Sequence, residues 1–203
     1  MKSTAPWLAL ALACLIAAAP AWAGAPTDSV REYTDAVVKV LEDPTLKAAD
    51  RRNAVRKLAT EAFDVQETAR RALGPHWQQR SPAEREEFVG LFADLLERTY
   101  IAKIDLYGGE RLKFTEEKVD GGNAVVRAKV TTKQGTEVPV EARMHKKADR
   151  WLIYDVAIEN ISLISNYRAQ FDRIIRSSSY ADLVKRLRNR GEFLQEKDRR
   201  AGG

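Results

Sequence analysis

The sequence has little of what covalent or metal chemistry requires. In 203 residues it contains one cysteine, Cys14, and two histidines, His76 and His145. Neither histidine has a second histidine at a metal-ligand spacing. The P-loop, the G-x-G-x-x-G fingerprint and the G-x-S-x-G elbow are absent as well. These absences disfavour a nucleotide-dependent enzyme, a zinc enzyme and a nucleophilic hydrolase.

Long apolar runs are missing everywhere except at the N-terminus. There an apolar stretch from Trp7 to Ala19 is followed by Ala21-Trp22-Ala23, which has the small-x-small form of a cleavage site. The run is too short to span a bilayer and is typical of a secretory signal peptide. Lipid modification of Cys14 is the alternative, which is weakened because the apolar run continues past the cysteine.

This interpretation sets the expected organisation of the chain. We expect residues 1–23 to be a removed signal peptide and residues 24–203 to form a single exported domain with a basic C-terminal helix and a frayed tail. The mature chain would then contain no cysteine, which excludes disulfides and thiolate sites.

The formal net charge is +5, and it is unevenly distributed. Between Arg168 and Arg200 there are ten Lys or Arg and five Asp or Glu. A basic region suits an anionic partner, such as a lipid headgroup or an acidic protein face, although a solvated helix with a frayed tail explains it equally well. Nucleic acid is disfavoured by the expected export and by the lack of a recognisable binding module.

Helical signals fill the first half of the chain. Three amphipathic segments precede Gly74-Pro75, and Ser81-Pro82-Ala83-Glu84 then combines an N-cap, an N1 proline and an N3 glutamate. This motif predicts a long helix that ends near Tyr107. Its apolar stripe covers about half the circumference of the helix, and most of this stripe is expected to pack in the core. The stripe is wider than one flat contact needs, which favours a curved or cavity-lining helix.

The pattern changes to period two at Arg111. Short turns at Asp120–Asn123, Gln134-Gly135 and Lys147–Arg150 predict four antiparallel strands, followed by two more helices, and therefore one α+β domain. The inward positions of the middle strands are small or medium residues. The space above them must be filled by closely packed helices or by a ligand, and the sequence leaves both open.

Asp155 is the carboxylate that most resembles a catalytic group, because it lies within the apolar strand Trp151–Ile158. A buried carboxyl can have a raised pKa and act as a base. A structural role is favoured, because perturbed acids also occur in structural networks. His145 alternates with apolar positions and is expected to point to solvent.

The segment from Trp151 to Phe171 reads W-x-x-Y-D-V-x-I-E-x-I-S-L-x-x-N-Y-R-x-Q-F. It closely resembles the hallmark segment of the toluene-tolerance (MlaC) family, which comprises periplasmic phospholipid carriers of the Mla lipid-asymmetry pathway. Earlier landmarks match in order: Phe63-Asp64, Ala72-Leu73-Gly74-x-x-Trp77, Glu87-Phe88-x-x-x-Phe92, Thr99-Tyr100 and Tyr107-x-Gly109-Glu110. Asn160 stands where the family usually has glycine, and because asparagine tolerates a left-handed backbone we expect the bend to survive.

The resemblance implies that a curved sheet and helices enclose an apolar cavity. The tails of a glycerophospholipid would be buried there, with the headgroup near solvent. It also implies shuttling between an outer-membrane Mla lipoprotein complex and an inner-membrane Mla ABC transporter complex, with no covalent chemistry and no cofactor apart from the phospholipid cargo.

We expect the cargo to be lined by three parts of the chain. From the long helix these are Phe92, Leu96, Tyr100 and Ile104; from the strands, Val126, Ala128, Val130, Val140, Ala142 and Met144; and from the hallmark segment, Leu163, Tyr167 and Phe171. Two alternatives remain open. One is a small-substrate enzyme on a cone-shaped α+β fold that uses Asp155 and a tyrosine, and the other is a ligand-free periplasmic adaptor.

Overall fold

A computed structural model describes residues 25–101 and 107–189. The predicted signal peptide, residues 102–106 with Ile104, and the C-terminal tail lie outside the described residues. Within the described ranges, no helix combines the length and the apolar composition that a membrane crossing requires.

Four helices and a short 3-10 helix precede the sheet. They are α1 (Pro26–Glu42), α2 (Ala48–Ala62), α3 (Val65–Leu73), the 3-10 helix (Gly74–Gln79) and α4 (Pro82–Tyr100). The predicted start of α4 is confirmed, because Ser81 and Glu84 form a reciprocal capping box. Gly74 ends α3 with a φ of 58°, a backbone conformation that favours glycine.

The sheet is antiparallel and follows the order of the chain, β1-β2-β3-β4-β5. Its strands are β1 (Arg111–Asp120), β2 (Asn123–Thr131), β3 (Glu137–Lys147), β4 (Arg150–Ile158) and β5 (Ile161–Ser162). The predicted count of four strands is corrected to five, because a strand of two residues has no periodicity to detect. Glu159 and Asn160 turn the chain into β5 with φ values of 51° and 66°, so the expected left-handed bend at Asn160 is present.

The chain ends in two helices, α5 (Leu163–Ser177) and α6 (Tyr180–Arg188). Helix α5 begins directly after β5, because the Ser162 hydroxyl accepts a hydrogen bond from the Ser165 backbone N–H at 2.9 Å and caps the helix there.

The apolar interior is divided into two parts. The helical cluster is formed by side chains of α3, α4, α5, α6 and the 3-10 helix, and its centre is aromatic. The sheet cluster joins α1 and the end of α2 to the strands: Val30, Ala62, Ala124, Val126, Met144, Trp151 and Ile153. Helix α1 packs on β1 and β2, whereas α3 and α5 pack on β4. The α+β fold therefore contains two separately covered apolar regions.

Candidate functional site

One face of the sheet, called the inner face here, carries an apolar surface across its middle strands. Directly opposed residues of antiparallel strands lie on the same face. The opposed pairs of β2 and β3 are Ala124–Met144, Val126–Ala142, Ala128–Val140 and Val130–Val138. Strand β4 extends the surface with Ile153, Val156 and Ile158, opposite Met144, Ala142 and Val140. The predicted alternation of β2 and β3 is confirmed, and it places small side chains at the centre of this face.

The end of the inner face nearest the β1–β2 hairpin is closed. Ala124, Val126 and Met144 are 3%, 2% and 0% exposed. Val30 of α1 and Trp151 of β4 are buried in the same cluster. This end of the face is therefore covered by protein side chains.

The opposite end, nearest the β2–β3 turn, is open. Val130, Val138 and Val140 are only half-buried. Ile158, which is opposite Val140, is 40% exposed, and its neighbour Ile161 in β5 is 63% exposed. A contiguous apolar surface that is buried at one end and accessible at the other is typical of a site for an apolar ligand.

Helix α1 is anchored over the closed end of the inner face. Its own N-cap residue, Ala25, supplies no side-chain oxygen, and Glu117 of β1 takes that role. Thr27 donates its backbone N–H and its hydroxyl to Glu117 Oε2 at 2.7 and 2.5 Å. The Arg31 guanidinium lies 5.0 Å from the centre of the Phe114 ring. A carboxylate at a helix N-terminus satisfies the free N–H groups and favours the helix dipole.

Helix α4 contributes both buried and accessible side chains. Phe92 is fully buried in the helical cluster, whereas Leu96 and Tyr100 are half-buried against that cluster. Burial raises the pKa of Tyr100 well above its ordinary value, with a further contribution from the hydrogen-bonded Tyr167 hydroxyl. Tyr100 is therefore a neutral amphipathic side chain at any physiological pH.

The structure separates the predicted lining residues into three groups. Phe92, Tyr167 and Phe171 are buried in the helical cluster. Val126, Ala128 and Met144 are buried on the inner face. The remaining described residues are half-buried: Leu96, Tyr100, Val130, Val140, Ala142 and Leu163. Sequence patterns did identify apolar positions, but they did not distinguish the side chains that a ligand can reach from those already enclosed by protein.

Asp155 lies on the other face of β4, where it is buried and fully engaged. It accepts hydrogen bonds from the Ser162 hydroxyl at 2.5 Å, the Ile164 backbone N–H at 3.1 Å and Arg143 Nη1 at 3.3 Å. These bonds tie β4 to the start of α5. Asp155 thus acts as a structural connector in the hallmark segment, which is the role favoured above.

Sequence patterns missed a charged cluster around Asp64, the residue that caps α3. The expectation that His145 points to solvent is wrong, because this side chain is half-buried. Its Nε2 lies 3.2 Å from Asp64 Oδ2, and the Lys147 ammonium lies 2.9 Å from the same oxygen. Burial raises the pKa of Asp64. Hydrogen bonds from Lys147 and from the Glu67 backbone N–H, together with the nearby positive charges, outweigh that effect and hold this pKa below its usual range. The period-two pattern of β3 places His145 and Lys147 on one face of the sheet. No pattern in the neighbouring sequence predicts that Asp64 is their partner.

This charged cluster borders a groove of about 750 Å³ whose walls are formed largely by Arg, Lys and Glu side chains. Burying acyl chains against these charges would cost their hydration, so the groove does not suit apolar tails. The other histidine, His76, pairs with Asp172 at 2.9 Å. In the part of the chain that the structure describes, no group of three metal-ligating side chains is found. The inner face is the better candidate site.

Comparisons with known proteins identify a family and a shared fold. The family model described as MlaC protein matches residues 31–189. One similar solved structure is that of a phospholipid-binding protein from Ralstonia solanacearum in complex with a phospholipid. The two sequences are 24% identical, and the match covers 82% of this chain and 97% of the Ralstonia chain, with a TM-score of 0.74. A putative NTF2-like transpeptidase from Campylobacter jejuni is 15% identical over 64% of this chain and 97% of its own, with a TM-score of 0.40. The first likeness establishes a shared fold, and the second is too distant to support an inference.

Proposed function

Because the chain belongs to the MlaC protein family, we propose that it is a periplasmic phospholipid carrier that holds the acyl tails of its cargo against the inner face of the sheet. The observation that carries this proposal is the gradient along that face, from buried Met144 to half-exposed Ile158. A face closed at both ends would need no ligand, and a face open at both ends would not be stable in water.

The energetics favour a half-open site. Each methylene removed from water contributes ~0.8 kcal/mol, so a two-tailed lipid does not cross an aqueous space unaided at a useful rate. The binding site of a carrier must supply much of the free energy that the tails gain from burial in a membrane. It must not greatly exceed that free energy, because a lipid bound too tightly is not released. Small side chains such as Ala128 and Val140 leave room for tails at the centre of the inner face.

Within the proposed lining, accessibility distinguishes two roles. The half-buried residues contact the tails directly: Leu96, Tyr100, Val130, Val140, Ala142 and Leu163. The buried residues form the wall behind them: Phe92, Val126, Ala128, Met144, Tyr167 and Phe171. Ile104 stays a predicted lining residue on the sequence pattern alone.

The proposal extends to the route of the cargo. The N-terminal apolar segment would export the protein to the periplasm, where it would carry glycerophospholipids between the outer-membrane and inner-membrane Mla complexes without covalent chemistry. The basic last turn of α6, with Lys185, Arg186 and Arg188, could then steer association with an acidic partner face.

Native mass spectrometry of the purified protein, combined with extraction and identification of bound lipid, tests this function. The expected result is a phospholipid-bound species, and lipid-free protein should take up phospholipid from vesicles. Protein that is consistently empty and takes up no lipid from vesicles would rule the carrier function out.

A further inference from the structure

The open end of the inner face has a polar rim. It is formed by the β2–β3 turn, which contains Lys133, and by residues 107–110, which lead into β1. The two segments are adjacent because Arg111 at the start of β1 pairs with Thr131 at the end of β2. Tyr107 also reaches α1, with its hydroxyl 3.3 Å from Glu42 Oε1. A ligand whose tails lie on the inner face would have its polar end at this rim.

The Lys133 side chain lies against a glycine. A Cβ atom added at Gly108 would lie 2.0 Å from Lys133 Cε and 2.8 Å from its Nζ. The end of the aliphatic stem of Lys133 therefore lies over the Gly108 backbone, in the space that a larger residue would fill. Long charged side chains often cover a surface with their stem and keep the charged group in water. This packing places the lysine ammonium at the rim.

Among the residues that the structure describes, Lys133 forms no ion pair within 4 Å. Lys129 near the end of β2, by contrast, pairs with Glu137 at 2.6 Å. The nearest candidate, Glu110, accepts a hydrogen bond from the Gly108 backbone N–H at 2.8 Å. That bond is the main reason why the pKa of Glu110 lies below its usual range, and the charge of Lys133 contributes further.

From this arrangement we propose that Lys133 binds the phosphate of the cargo and makes the protein select phospholipids over neutral lipids with the same tails. The inference rests on the proposed carrier function. An ammonium beside the open end of an apolar surface matches a molecule that joins apolar tails to one phosphodiester. All glycerophospholipids share that group, so Lys133 would recognise the phosphate without distinguishing the alcohol attached to it.

The expected preference is modest, because the rim is accessible to water. We expect a loss of roughly 3- to 10-fold in selectivity when the charge is removed at low ionic strength, and a smaller loss in about 0.5 M salt. A purely structural role for Lys133 would change the loading of both lipid types equally and would not respond to salt in this way.

The experiment compares two lipids with identical tails. Lipid-free protein is incubated with detergent micelles that contain equal amounts of dioleoylphosphatidylglycerol and dioleoylglycerol, and the bound lipids are counted by native mass spectrometry. The variants are Lys133→Gln and Gly108→Ala, because an added methyl group must displace the lysine stem. The matched control is Lys118→Gln, an exposed lysine at the closed end of the same sheet.

In the expected result, both Lys133→Gln and Gly108→Ala lower the ratio of phosphatidylglycerol to diacylglycerol, and Lys118→Gln keeps the wild-type ratio. A Lys133→Gln protein that loads both lipids in the wild-type ratio would overturn the inference and leave the carrier function intact. Failure of the wild-type protein to load either lipid would instead count against the carrier function itself.

A further arm of the experiment separates bound cargo from free phosphate. The wild-type protein is loaded with and without inorganic phosphate at matched ionic strength. An unchanged lipid ratio supports the phosphate of the cargo as the ligand. If inorganic phosphate binds the wild-type protein but not Lys133→Gln, and the two proteins load the lipids in the same ratio, the site takes free phosphate and the assignment to the cargo is overturned.

Discussion

The two apolar regions of this protein are built from different side chains. In the helical cluster, Phe88, Phe92, Tyr167 and Phe171 are buried, with ring centroids 5.2 to 5.8 Å apart. On the inner face of the sheet the central residues are alanine and valine, and their burial declines from one end to the other. The residues at the centre of the helical cluster are buried by their own neighbours. The sheet face stays partly exposed at the end nearest the β2–β3 turn.

This difference predicts which region supports the fold and which supports the function. Large aromatic side chains contribute most to stability, because each removes a large apolar area from water. Small side chains on a half-open face contribute less to the fold and leave volume for a guest. The predictions that follow test this division, in order of decreasing effect.

The largest effect is expected in the helical cluster. Phe92→Ala should lower the free energy of unfolding by ~3–5 kcal/mol, because the fully buried ring leaves a cavity that its neighbours cannot fill. Val140→Ala, on the open part of the inner face, should lower it by less than ~1.5 kcal/mol. Urea denaturation of the lipid-free variants measures both values, and equal losses would show that the two regions do not differ in this way.

A bulky side chain on the inner face should affect loading more than stability. Val140→Trp is expected to block lipid loading in native mass spectra while the far-UV circular dichroism and the urea midpoint stay close to those of the wild-type protein. Lys129→Trp is the matched control, since Lys129 is exposed on the opposite face near the same end of the sheet. Normal loading of Val140→Trp, with the indole shown to point inward, would contradict the proposed lining.

Asp155 tests whether the hallmark segment supports the fold or carries out catalysis. Asp155→Ala leaves the Ile164 N–H and the Ser162 hydroxyl without their acceptor. It should cost ~1–3 kcal/mol of stability, because these groups are buried. Lipid loading per folded molecule should not change for Asp155→Ala or for the milder Asp155→Asn. A folded Asp155→Asn protein that lost a chemical activity of the wild type would support the enzyme alternative.

The smallest effect concerns acid stability at the charged cluster. The pKa of Asp64 in the folded protein is below its unfolded value of ~3.9, so its ionised form stabilises the fold above that pH. This contribution is lost as the pH falls through the lowered pKa. The wild-type protein should therefore be more stable than Asp64→Asn near pH 6, and this difference in stability should shrink as the pH falls through the lowered pKa. If the difference in stability between the two proteins stays constant as the pH is lowered from 6, the charge of Asp64 is not its cause.

Local sequence signals predicted much of the fold. The capping motif at Ser81, the alternation of β2 and β3, and the left-handed bend at Asn160 all appear in the structure. Each depends on the chemistry of a few neighbouring residues, which the sequence displays directly. The resemblance of residues 151–171 to a family added a function that periodicity alone only suggested.

Features that depend on distant residues were not predicted. Periodicity shows which side of a helix or strand is apolar, but it does not show which element covers that side. For this reason Phe92 and Val140 were assigned to one lining, although the structure buries Phe92 in the helical cluster and leaves Val140 half-exposed on the sheet. The cap that Glu117 provides for α1 and the contact between His145 and Asp64 likewise join positions far apart in the chain.

The central claim is that lipid tails lie on the open part of the inner face and not among the buried aromatic rings of the helical cluster. A phospholipid that carries a photoreactive diazirine in its acyl chain tests this directly, because cross-linked peptides can be identified by mass spectrometry. The account predicts labelling of residues in β2 and β3, around Val130 and Val140. Labelling confined to α5 and α6, by a lipid that is shown to be bound, would contradict it.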